Sequence, residues 1–354
     1  MAENKCMMWL LQGPGSAENI QYVEDARASA ALGPDEVRVV MHAASLNYRD
    51  LVIAKASLPA TQPTPNTIPG SDGAGVVHSV GANVTAFQPG DKVLPHMVQG
   101  VADDFLPSMA SISGGLGQAV NGTLCEQGVF SAESLVRMPR NMSFEQAATL
   151  GCSGLTAWNA LMGLGGRALR AGDYVLVQGT GGVSMAALQF AKAAGATVVA
   201  TTGKAADSEA VKMLTALGAA HIINYRTEPE WGAKARALTP GGRGFDHIVD
   251  VGGDATLAQS MAAARTDGVV SVVGMLGAGT DKVVPAMAAL WSVCVVRGVL
   301  LGTKDMFRDM VAFCEKHNVQ PALDDVKFAL ADARGAYERL EKQQHFSKVV
   351  IQVP

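Results

Sequence analysis

Residues 174–184 of this chain read YVLVQGTGGVS. The apolar run 174–178 has the length and composition of a buried strand, and the glycines after it indicate a tight turn. A helical pattern then continues to about Ala194. Strand, glycine turn and helix in this order are typical of a dinucleotide-binding unit, in which a pyrophosphate lies on the backbone amides that open the helix.

The glycine turn matches the dinucleotide fingerprint incompletely, because Ser184 stands where a third glycine is usual. The strand before it and the helix after it strengthen the prediction, and the alternative is a tight turn that holds no ligand. The residues predicted to contact the pyrophosphate are Gly179, Thr180, Gly181, Gly182, Val183 and Ser184.

Strands and helices alternate after this unit. Strands are predicted over 197–202, 221–225, 245–250, 268–274 and 293–301, and helices over 208–217, 229–238 and 254–265. Continuous apolar strands that alternate with helices predict an α/β fold with a doubly wound parallel sheet covered on both faces. The first 150 residues differ, because short strands such as 37–43 and 75–80 alternate there with turns, which predicts a β-rich domain. Residues 98–122 are predicted to form a long loop, and a helix over 334–343 and a strand over 348–353 end the chain.

The end of the second strand of the parallel sheet indicates which cofactor binds. NAD sites usually place an acid there, but this chain reads Thr201, Thr202, Gly203 and Lys204. Hydroxyls and a lysine suit a 2′-phosphate, which a carboxylate would repel, so we predict NADPH. Tyr225, with Arg226, follows the third strand and is predicted to pack beside that phosphate. The alternative for Lys204 is a solvated lysine at a helix start.

The fourth and fifth strands end in glycine-containing segments. In a doubly wound sheet the ligand lies across the carboxyl ends of the strands, where glycines allow the backbone to approach it. The residues predicted to face the ribose and nicotinamide are Val251, Gly252, Gly274, Met275 and Leu276.

Composition narrows the possible partners. The 354 residues are 48% apolar and 17% charged with a net charge of −4, which argues against a disordered chain and a general nucleic-acid binder. No apolar run reaches the ~18 residues of a membrane span, and the N-terminus does not resemble a signal peptide. Five unpatterned cysteines indicate reduced thiols, so we expect a cytoplasmic protein. With the dinucleotide site predicted above, its expected partner is a small-molecule substrate.

Six segments resemble the medium-chain dehydrogenase/reductase superfamily over nearly the whole chain. They are SLNYRD (45–50), GSDGAG (70–75), GDKV (90–93), GCSGLTAW (151–158), the glycine turn and LGTK (301–304). The similarity is greatest to the zinc-free branch that includes quinone oxidoreductases. It implies a GroES-like, β-rich catalytic domain over 1–152, a Rossmann domain over 153–302 and a return of 303–354 to the catalytic domain. It also implies a cleft between the domains and a homodimer formed through the edge strand near 293–301.

The same resemblance bears on zinc. Asn47, Ser71 and Cys152 stand at the three positions that hold the catalytic metal in zinc-binding members, and only Cys152 keeps a ligand type, whereas zinc takes about four ligands. The structural zinc lobe of those members needs four closely spaced cysteines, whereas the matching stretch here, 97–125, has one cysteine, Cys125. We therefore predict no metal. Without a Lewis acid the acceptor must already be electron-poor, which favours an activated C=C bond or a quinone.

The resemblance also implies roles for single residues. It places Asn47 and Tyr48 beside the nicotinamide, with Tyr48 either a proton donor or a packing residue. His96 is a second candidate donor, and the alternative is a hydrogen-bonded core histidine. The remaining cofactor residues are Thr156, Leu301, Gly302 and Lys348. Lys348 matches a basic position that reaches the pyrophosphate in relatives, and the alternative is a surface lysine on an edge strand. Arg49 and Asp50 are expected to be a structural pair.

The predicted substrate pocket contains Ser71, Met97, Cys152 and Trp291, and the segments 98–122 and 278–292 shape it. Flexible methionines favour a bulky apolar substrate, although they also serve as core filler. We predict an NADPH-dependent reductase. The alternatives are a non-redox isomerase, dehydratase or cyclase on the same scaffold, a binding protein that keeps the cofactor site, and a zinc alcohol dehydrogenase.

Overall fold

Two compact units make up the structure, a computed structural model that describes residues 5–13, 19–25, 30–57, 59–276 and 283–354. Unit 1 is discontinuous and consists of Met1–Leu155 and Thr303–Pro354. Unit 2, Thr156–Gly302, is continuous in sequence. Among the described residues, none of the helices combines the length and the apolar composition that crossing a bilayer requires.

Unit 1 begins with short strands and few helices. Its strands are β1 (Cys6–Leu11), β2 (Ile20–Asp25), β3 (Glu36–Ser45), β4 (Asp72–Val80), β5 (Lys92–Pro95), β6 (Gln127–Ser131) and β7 (Leu135–Arg137). Its helices are α1 (Tyr48–Lys55), α2 (Met109–Ser113) and α3 (Phe144–Ala147), followed by a π-helical turn at Leu150–Gly154. β1 and β2 form an antiparallel pair of their own.

Unit 2 alternates strands with helices. Its strands are β8 (Tyr174–Gln178), β9 (Thr197–Thr202), β10 (Ala219–Asn224), β11 (Phe245–Asp250), β12 (Ala264–Val272) and β13 (Val295–Gly298). Its helices are α4 (Leu155–Met162), α5 (Gly182–Ala193), α6 (Glu209–Ala216), α7 (Trp231–Ala237), α8 (Leu257–Ala263) and α9 (Met287–Ser292). The strands are parallel in the order β10-β9-β8-β11-β12-β13, the order of a Rossmann sheet, which confirms the predicted fold class.

The core of unit 2 explains why the apolar runs form strands. Leu176, Val199, Ile248 and Val270 lie on four different strands and belong to one buried cluster, to which Trp231 of α7 also contributes. A parallel sheet is covered on both faces, so the side chains on both sides of each strand are buried and most of them are apolar.

The chain then returns to unit 1 through α10 (Lys304–His317), β14 (Leu323–Ala329), α11 (Ala333–Glu341) and β15 (Lys348–Gln352). The sheet of unit 1 has the order β14-β15-β3-β4-β5-β7, with β6 also paired to β3. β15 is therefore an interior strand, parallel to β14 and antiparallel to β3. Short 3-10 turns occur at Pro59–Thr61, Ala132–Ser134, Pro240–Gly242, Gly253–Ala255 and Leu330–Asp332.

Two segments differ from the prediction. The supposed loop 98–122 contains α2, which the sequence did not indicate because a five-residue helix has too little periodicity; the Ser108 side chain caps it by accepting a hydrogen bond from the Ser111 amide. The predicted strand 293–301 is shorter because Val293 and Leu301 both have positive φ, at 47° and 82°. Of the predicted pocket segment 278–292, residues 278–282 lie outside the described residues.

Candidate functional site

The glycine turn of unit 2 presents open backbone at the start of a helix. α5 begins at Gly182 with Gly181 as its N-cap. Gly179 has a φ of +72°, which favours glycine, and a Cβ on Gly179 or Gly181 would meet nothing within 4 Å. The first amides of a helix lack intrahelical partners and carry the positive end of the helix dipole. The turn that includes Thr180 and Val183 therefore has the local geometry of a phosphate cradle.

Ser184 stabilises this turn. Its side chain is buried, and its Oγ donates a hydrogen bond to the carbonyl oxygen of Gln178 over 2.5 Å. The residue at the third glycine position thus links the start of α5 to the end of β8. It does not present its hydroxyl to solvent.

The ends of β9 and β10 bring together the residues predicted to select the cofactor. A Cβ on Gly203 would lie 2.6 Å from the Tyr225 hydroxyl and 2.8 Å from Arg226 Nε. The Lys204 amide donates to Thr202 Oγ1 over 3.2 Å. The Tyr225 hydroxyl and Arg226 Nε therefore lie beside the position where Gly203 has no side chain, and the exposed Lys204 is the next residue in the chain. We call Lys204, Tyr225 and Arg226 the basic cluster.

Asn224 connects the two loops that carry the basic cluster. Its Nδ2 donates to the Lys204 carbonyl oxygen over 3.0 Å, and its Oδ1 accepts from the Arg226 amide over 2.9 Å. The two loops that carry the cations are thereby tied to each other through one amide side chain.

Asp250, at the end of β11, organises the loop predicted to face the nicotinamide. Its Oδ1 accepts hydrogen bonds from the amides of Gly252 (3.1 Å) and Gly253 (2.8 Å) and from Thr256 Oγ1 (2.8 Å). Its Oδ2 accepts from Ser260 Oγ (2.5 Å) and from the Gln178 side chain (3.1 Å). This role of Asp250 was not predicted from the sequence. The signal was a carboxylate at the end of a buried strand with hydroxyl side chains six and ten residues later.

The neighbouring loop after β12 approaches the same turn. A Cβ on Gly274 would lie 2.6 Å from the Val251 carbonyl oxygen, so the close approach requires glycine. Met275 and Leu276 follow with 49% and 54% of their surface exposed. The Leu276 amide donates to the Val251 carbonyl oxygen over 3.2 Å.

Lys348, on β15 of unit 1, lies in a buried polar cluster. Its Nζ donates to the Leu46 carbonyl oxygen (2.8 Å), to Asn47 Oδ1 and to Asp72 Oδ2 (3.1 Å). Asn47 Nδ2 donates to Asp72 Oδ2 over 2.8 Å, and Ser153 Oγ donates to Asn47 Oδ1 over 2.8 Å. An ammonium has three donors, and all three are used here. This arrangement argues against both sequence-based readings of Lys348, a pyrophosphate contact and a surface lysine.

Ser71 lies between Arg49 and Asp50. Its Oγ donates to Asp50 Oδ1 over 2.5 Å and accepts a hydrogen bond from Arg49 Nη1. Arg49 also donates to the backbone carbonyls of Ile112 and Leu116, which ties α1 to the α2 loop. Burial raises the pKa of Asp50, against the opposing effect of Arg49. These contacts favour the expected structural role of Arg49 and Asp50.

The candidate catalytic side chains differ in exposure. Tyr48, the first residue of α1, is 49% exposed. His96 is completely buried, and its Nδ1 lies 2.9 Å from the Val98 carbonyl oxygen, which favours a hydrogen-bonded core histidine over a proton donor. Met97 is also buried, although it was predicted to line the pocket. Trp291, on α9 of unit 2, is 78% exposed.

The predicted cofactor residues at the two ends of unit 2 are buried. Thr156 and Gly302 are buried, and so is Leu301. Asn159 Nδ2 donates to the Leu301 carbonyl oxygen over 2.6 Å, which helps to hold the positive φ of Leu301.

The side chains at the three zinc-ligand positions do not fit a zinc ion. Asn47 is bonded to the Lys348 ammonium, Ser71 is held between Arg49 and Asp50, and a second cation beside Lys348 would be repelled. Cys152 is the one side chain of the three that has a usual zinc-ligand atom, and burial raises the pKa of its thiol to about 12. Within the described ranges, no three His, Cys, Asp or Glu side chains are grouped so that they could hold a metal.

Comparison with known proteins identifies the family. A family model for an alcohol dehydrogenase GroES-like domain matches residues 33–140, and one for a zinc-binding dehydrogenase matches residues 182–316. A zinc-type alcohol dehydrogenase-like protein of Schizosaccharomyces pombe is 39% identical over 335 residues, which cover 93% of this chain and 94% of the relative. The quinone oxidoreductase of Homo sapiens is 30% identical over 68% of this chain and 65% of its own length.

Among solved structures, an NAD-dependent alcohol dehydrogenase has a TM-score of 0.83 and 30% sequence identity, covering 98% of this chain and 100% of that chain. The chain belongs to the medium-chain dehydrogenase/reductase superfamily and is an oxidoreductase of that family, as its six sequence segments predicted.

Proposed function

We propose that this protein is a zinc-independent, NADPH-dependent reductase that transfers hydride to an activated C=C bond of an enone or enal, or to a quinone. The basic cluster is the observation that carries the cofactor assignment. Arg226 and the Tyr225 hydroxyl lie beside Gly203, Lys204 follows it in the chain, and residues 201–204 contain no acid. A 2′-phosphate would be attracted here by charge-assisted hydrogen bonds.

The rest of the cofactor site follows from the backbone of unit 2. The amides of residues 180–183 would hold the pyrophosphate, and the loops at 251–253 and 274–276 would approach the ribose and the nicotinamide. A nicotinamide cofactor bound here supplies the hydride. Asp250 fixes the amides of Gly252 and Gly253 before the cofactor arrives.

The acceptor is proposed from the chemistry of unit 1. With Lys348 bonded to Asn47, no zinc polarises a carbonyl there, so the acceptor has to be electron-poor without assistance. Reduction of such an acceptor leaves negative charge that needs a proton or a hydrogen-bond donor. The hydroxyl of Tyr48, a half-exposed residue, is the proposed donor. The similarity to a quinone oxidoreductase supports this acceptor class, and the exposed Met275, Leu276 and Trp291 support a bulky apolar substrate.

The test is a titration of metal-free protein with NADPH and with NADH, followed by NADPH oxidation with a panel of enones, enals and quinones. We expect tighter binding of NADPH and turnover on part of the panel. Tighter binding of NADH would refute the role of the basic cluster. Tight NADPH binding without oxidation by any acceptor would favour a non-redox enzyme on the same scaffold.

We also propose a homodimer formed through β13 and a cytoplasmic location. β13 is an edge strand of its sheet, and Val296 and the following Leu300 are 37% and 42% exposed. All five cysteines are free thiols, which suits a reducing compartment. Light scattering after gel filtration would show a dimer, and Val296→Lys should shift it toward the monomer.

A further inference from the structure

Lys348 and Asp72 form an ion pair that is almost wholly removed from solvent. The Lys348 side chain is 4% exposed and the Asp72 side chain 0% exposed, with Nζ and Oδ2 3.1 Å apart. Neither charge is stable in a protein interior without the other. Lysine on an interior strand of a sheet is therefore held there by specific contacts and not by the usual exposure of its ammonium.

The ion pair fixes the side chain of Asn47. Its Oδ1 accepts from Lys348 and from Ser153, and its Nδ2 donates to Asp72. The amide therefore has one orientation, and the next residue in the chain is Tyr48, the first residue of α1. Through Asn47, the buried charge of Lys348 acts on the start of the helix that carries the proposed hydrogen-bond donor.

One oxygen of Asp72 remains unused. Oδ1 is buried and, in the described part of the chain, has no hydrogen-bond partner. A Cβ on Gly151 would lie 2.8 Å from it, so the π-helical turn approaches this oxygen closely. The ammonium of Lys348 is thus the group that stabilises the Asp72 charge, supported by Asn47 and by the hydroxyl of Ser45, 3.3 Å from Oδ2.

We propose that Lys348 is a positioning residue and the resident cation of unit 1. Its ammonium takes the electrostatic place for which zinc-binding relatives use a metal, and it orients Asn47 while it neutralises Asp72. Its three donors are used within unit 1, so it does not bind the cofactor pyrophosphate. The activity part of this proposal rests on the proposed function, whereas the stability part does not.

A double-mutant cycle tests the stability part. Lys348→Met and Asp72→Asn each leave one buried partner without its counter-charge, and each should lower Tm by about 10 °C. The double variant should be more stable than the sum of the two losses predicts, because it leaves no unpaired charge. Lys327→Met is the matched control, since Lys327 lies on the neighbouring β14 and pairs with Glu145 at the surface; its Tm should change little. Additive losses in the cycle would overturn the pairing.

Ligand binding and chemical rescue test the positioning part. NADP⁺ should bind Lys348→Met within about threefold of its wild-type Kd, while kcat falls at least tenfold. In Lys348→Ala, which vacates the space of the side chain, ethylammonium should restore part of kcat, and ethyltrimethylammonium, which has the charge but no N–H donor, should not. Tenfold weaker binding of NADP⁺ with an unchanged kcat would overturn this role. A kcat that ethylammonium does not restore would overturn it as well. If Lys348→Met does not fold, the NADP⁺ Kd and kcat are measured on the Lys348→Met/Asp72→Asn double variant, which leaves no unpaired charge, and the same outcomes of these two measurements decide the matter.

The two proposals fail in different ways. A wild-type protein that binds neither NADPH nor NADH would refute the proposed function, but it would leave the stability cycle as a complete test of the Lys348–Asp72 pair.

Discussion

Replacing Asp250 by asparagine tests how the nicotinamide loop is held. Asp250 is completely buried, and its two oxygens accept five hydrogen bonds. Asparagine keeps one acceptor oxygen and replaces the other by an NH₂ donor. If the remaining oxygen faces the Gly252 and Gly253 amides, the NH₂ faces the Gln178 side chain, which is itself a donor.

The structure sets the size of the effect. Hydrogen bonds to a charged acceptor contribute ~1.5–3 kcal/mol each against ~0.5–1.5 for neutral ones, and a buried donor left without an acceptor costs a further ~1–3 kcal/mol. Asp250→Asn should therefore lower the free energy of unfolding of unit 2 by about 4 kcal/mol. Ser260→Ala removes one of the five donors and keeps the charge, so its loss should be about 1–2 kcal/mol.

Urea denaturation and NADPH titration measure the two consequences. The unfolding midpoint should fall in the order wild type, Ser260→Ala, Asp250→Asn, with an unchanged dependence on urea concentration. NADPH should bind Asp250→Asn at least tenfold more weakly, because the amides of Gly252 and Gly253 are then held by a neutral oxygen in place of a carboxylate. An Asp250→Asn variant no less stable than Ser260→Ala would refute this reasoning about the loop.

Three further predictions concern the cofactor, a thiol and acid stability. Lys204→Ala and Arg226→Ala should each raise the Kd of NADPH by about 10- to 100-fold, and that of NADH less than twofold, because each removes a charge-assisted contact of ~1.5–3 kcal/mol; equal effects on both cofactors would contradict the basic cluster. Burial raises the pKa of Cys152 to about 12, so iodoacetamide at pH 8 should leave this thiol unmodified in the folded protein, as peptide mass mapping would show. Hydrogen bonds from Arg308 and Lys304 lower the pKa of Asp103 to about 2, so its stabilising effect is present above its unfolded value of ~3.9 and is lost as the pH falls toward 2. Wild type and Asp103→Asn should therefore differ in Tm at pH 6 and converge near pH 2, and a difference that persists there would contradict the assignment.

The sequence predicted those parts of the fold that depend on neighbours along the chain. β8 and β9 have the predicted limits because each is an apolar run bounded by turn residues. β12 begins at Ala264, four residues before the predicted start at 268. The prediction missed these residues because they are polar and do not alternate as a strand does, and Asp267 has a left-handed backbone conformation.

The candidate site was less accessible to sequence reasoning, because its contacts join distant residues. The basic cluster was predictable because parallel strands place their carboxyl ends at one edge, which brings 202–204 and 225–226 together. Lys348 was predicted on a strand, but no periodicity could indicate that its ammonium meets Asp72. Likewise, His96 was predicted as a candidate proton donor, whereas its ring is completely buried and its Nδ1 lies 2.9 Å from the Val98 carbonyl oxygen.

The discontinuity of unit 1 affects how the protein is made. Unit 2 is continuous and is complete once Gly302 has been synthesised, whereas β3 lacks its neighbour β15 until residues 348–352 follow. Asp72 precedes its counter-ion by 276 residues, and at ~5–20 residues per second the nascent chain carries this carboxylate unpaired for roughly 14–55 s. During that time residues 43–45 of β3 lack the partner strand that β15 supplies and are open to pairing with other chains. Slower translation or a longer delay at residues 303–354 should therefore increase aggregation of newly made protein, and chaperones that shield strand edges should improve its yield.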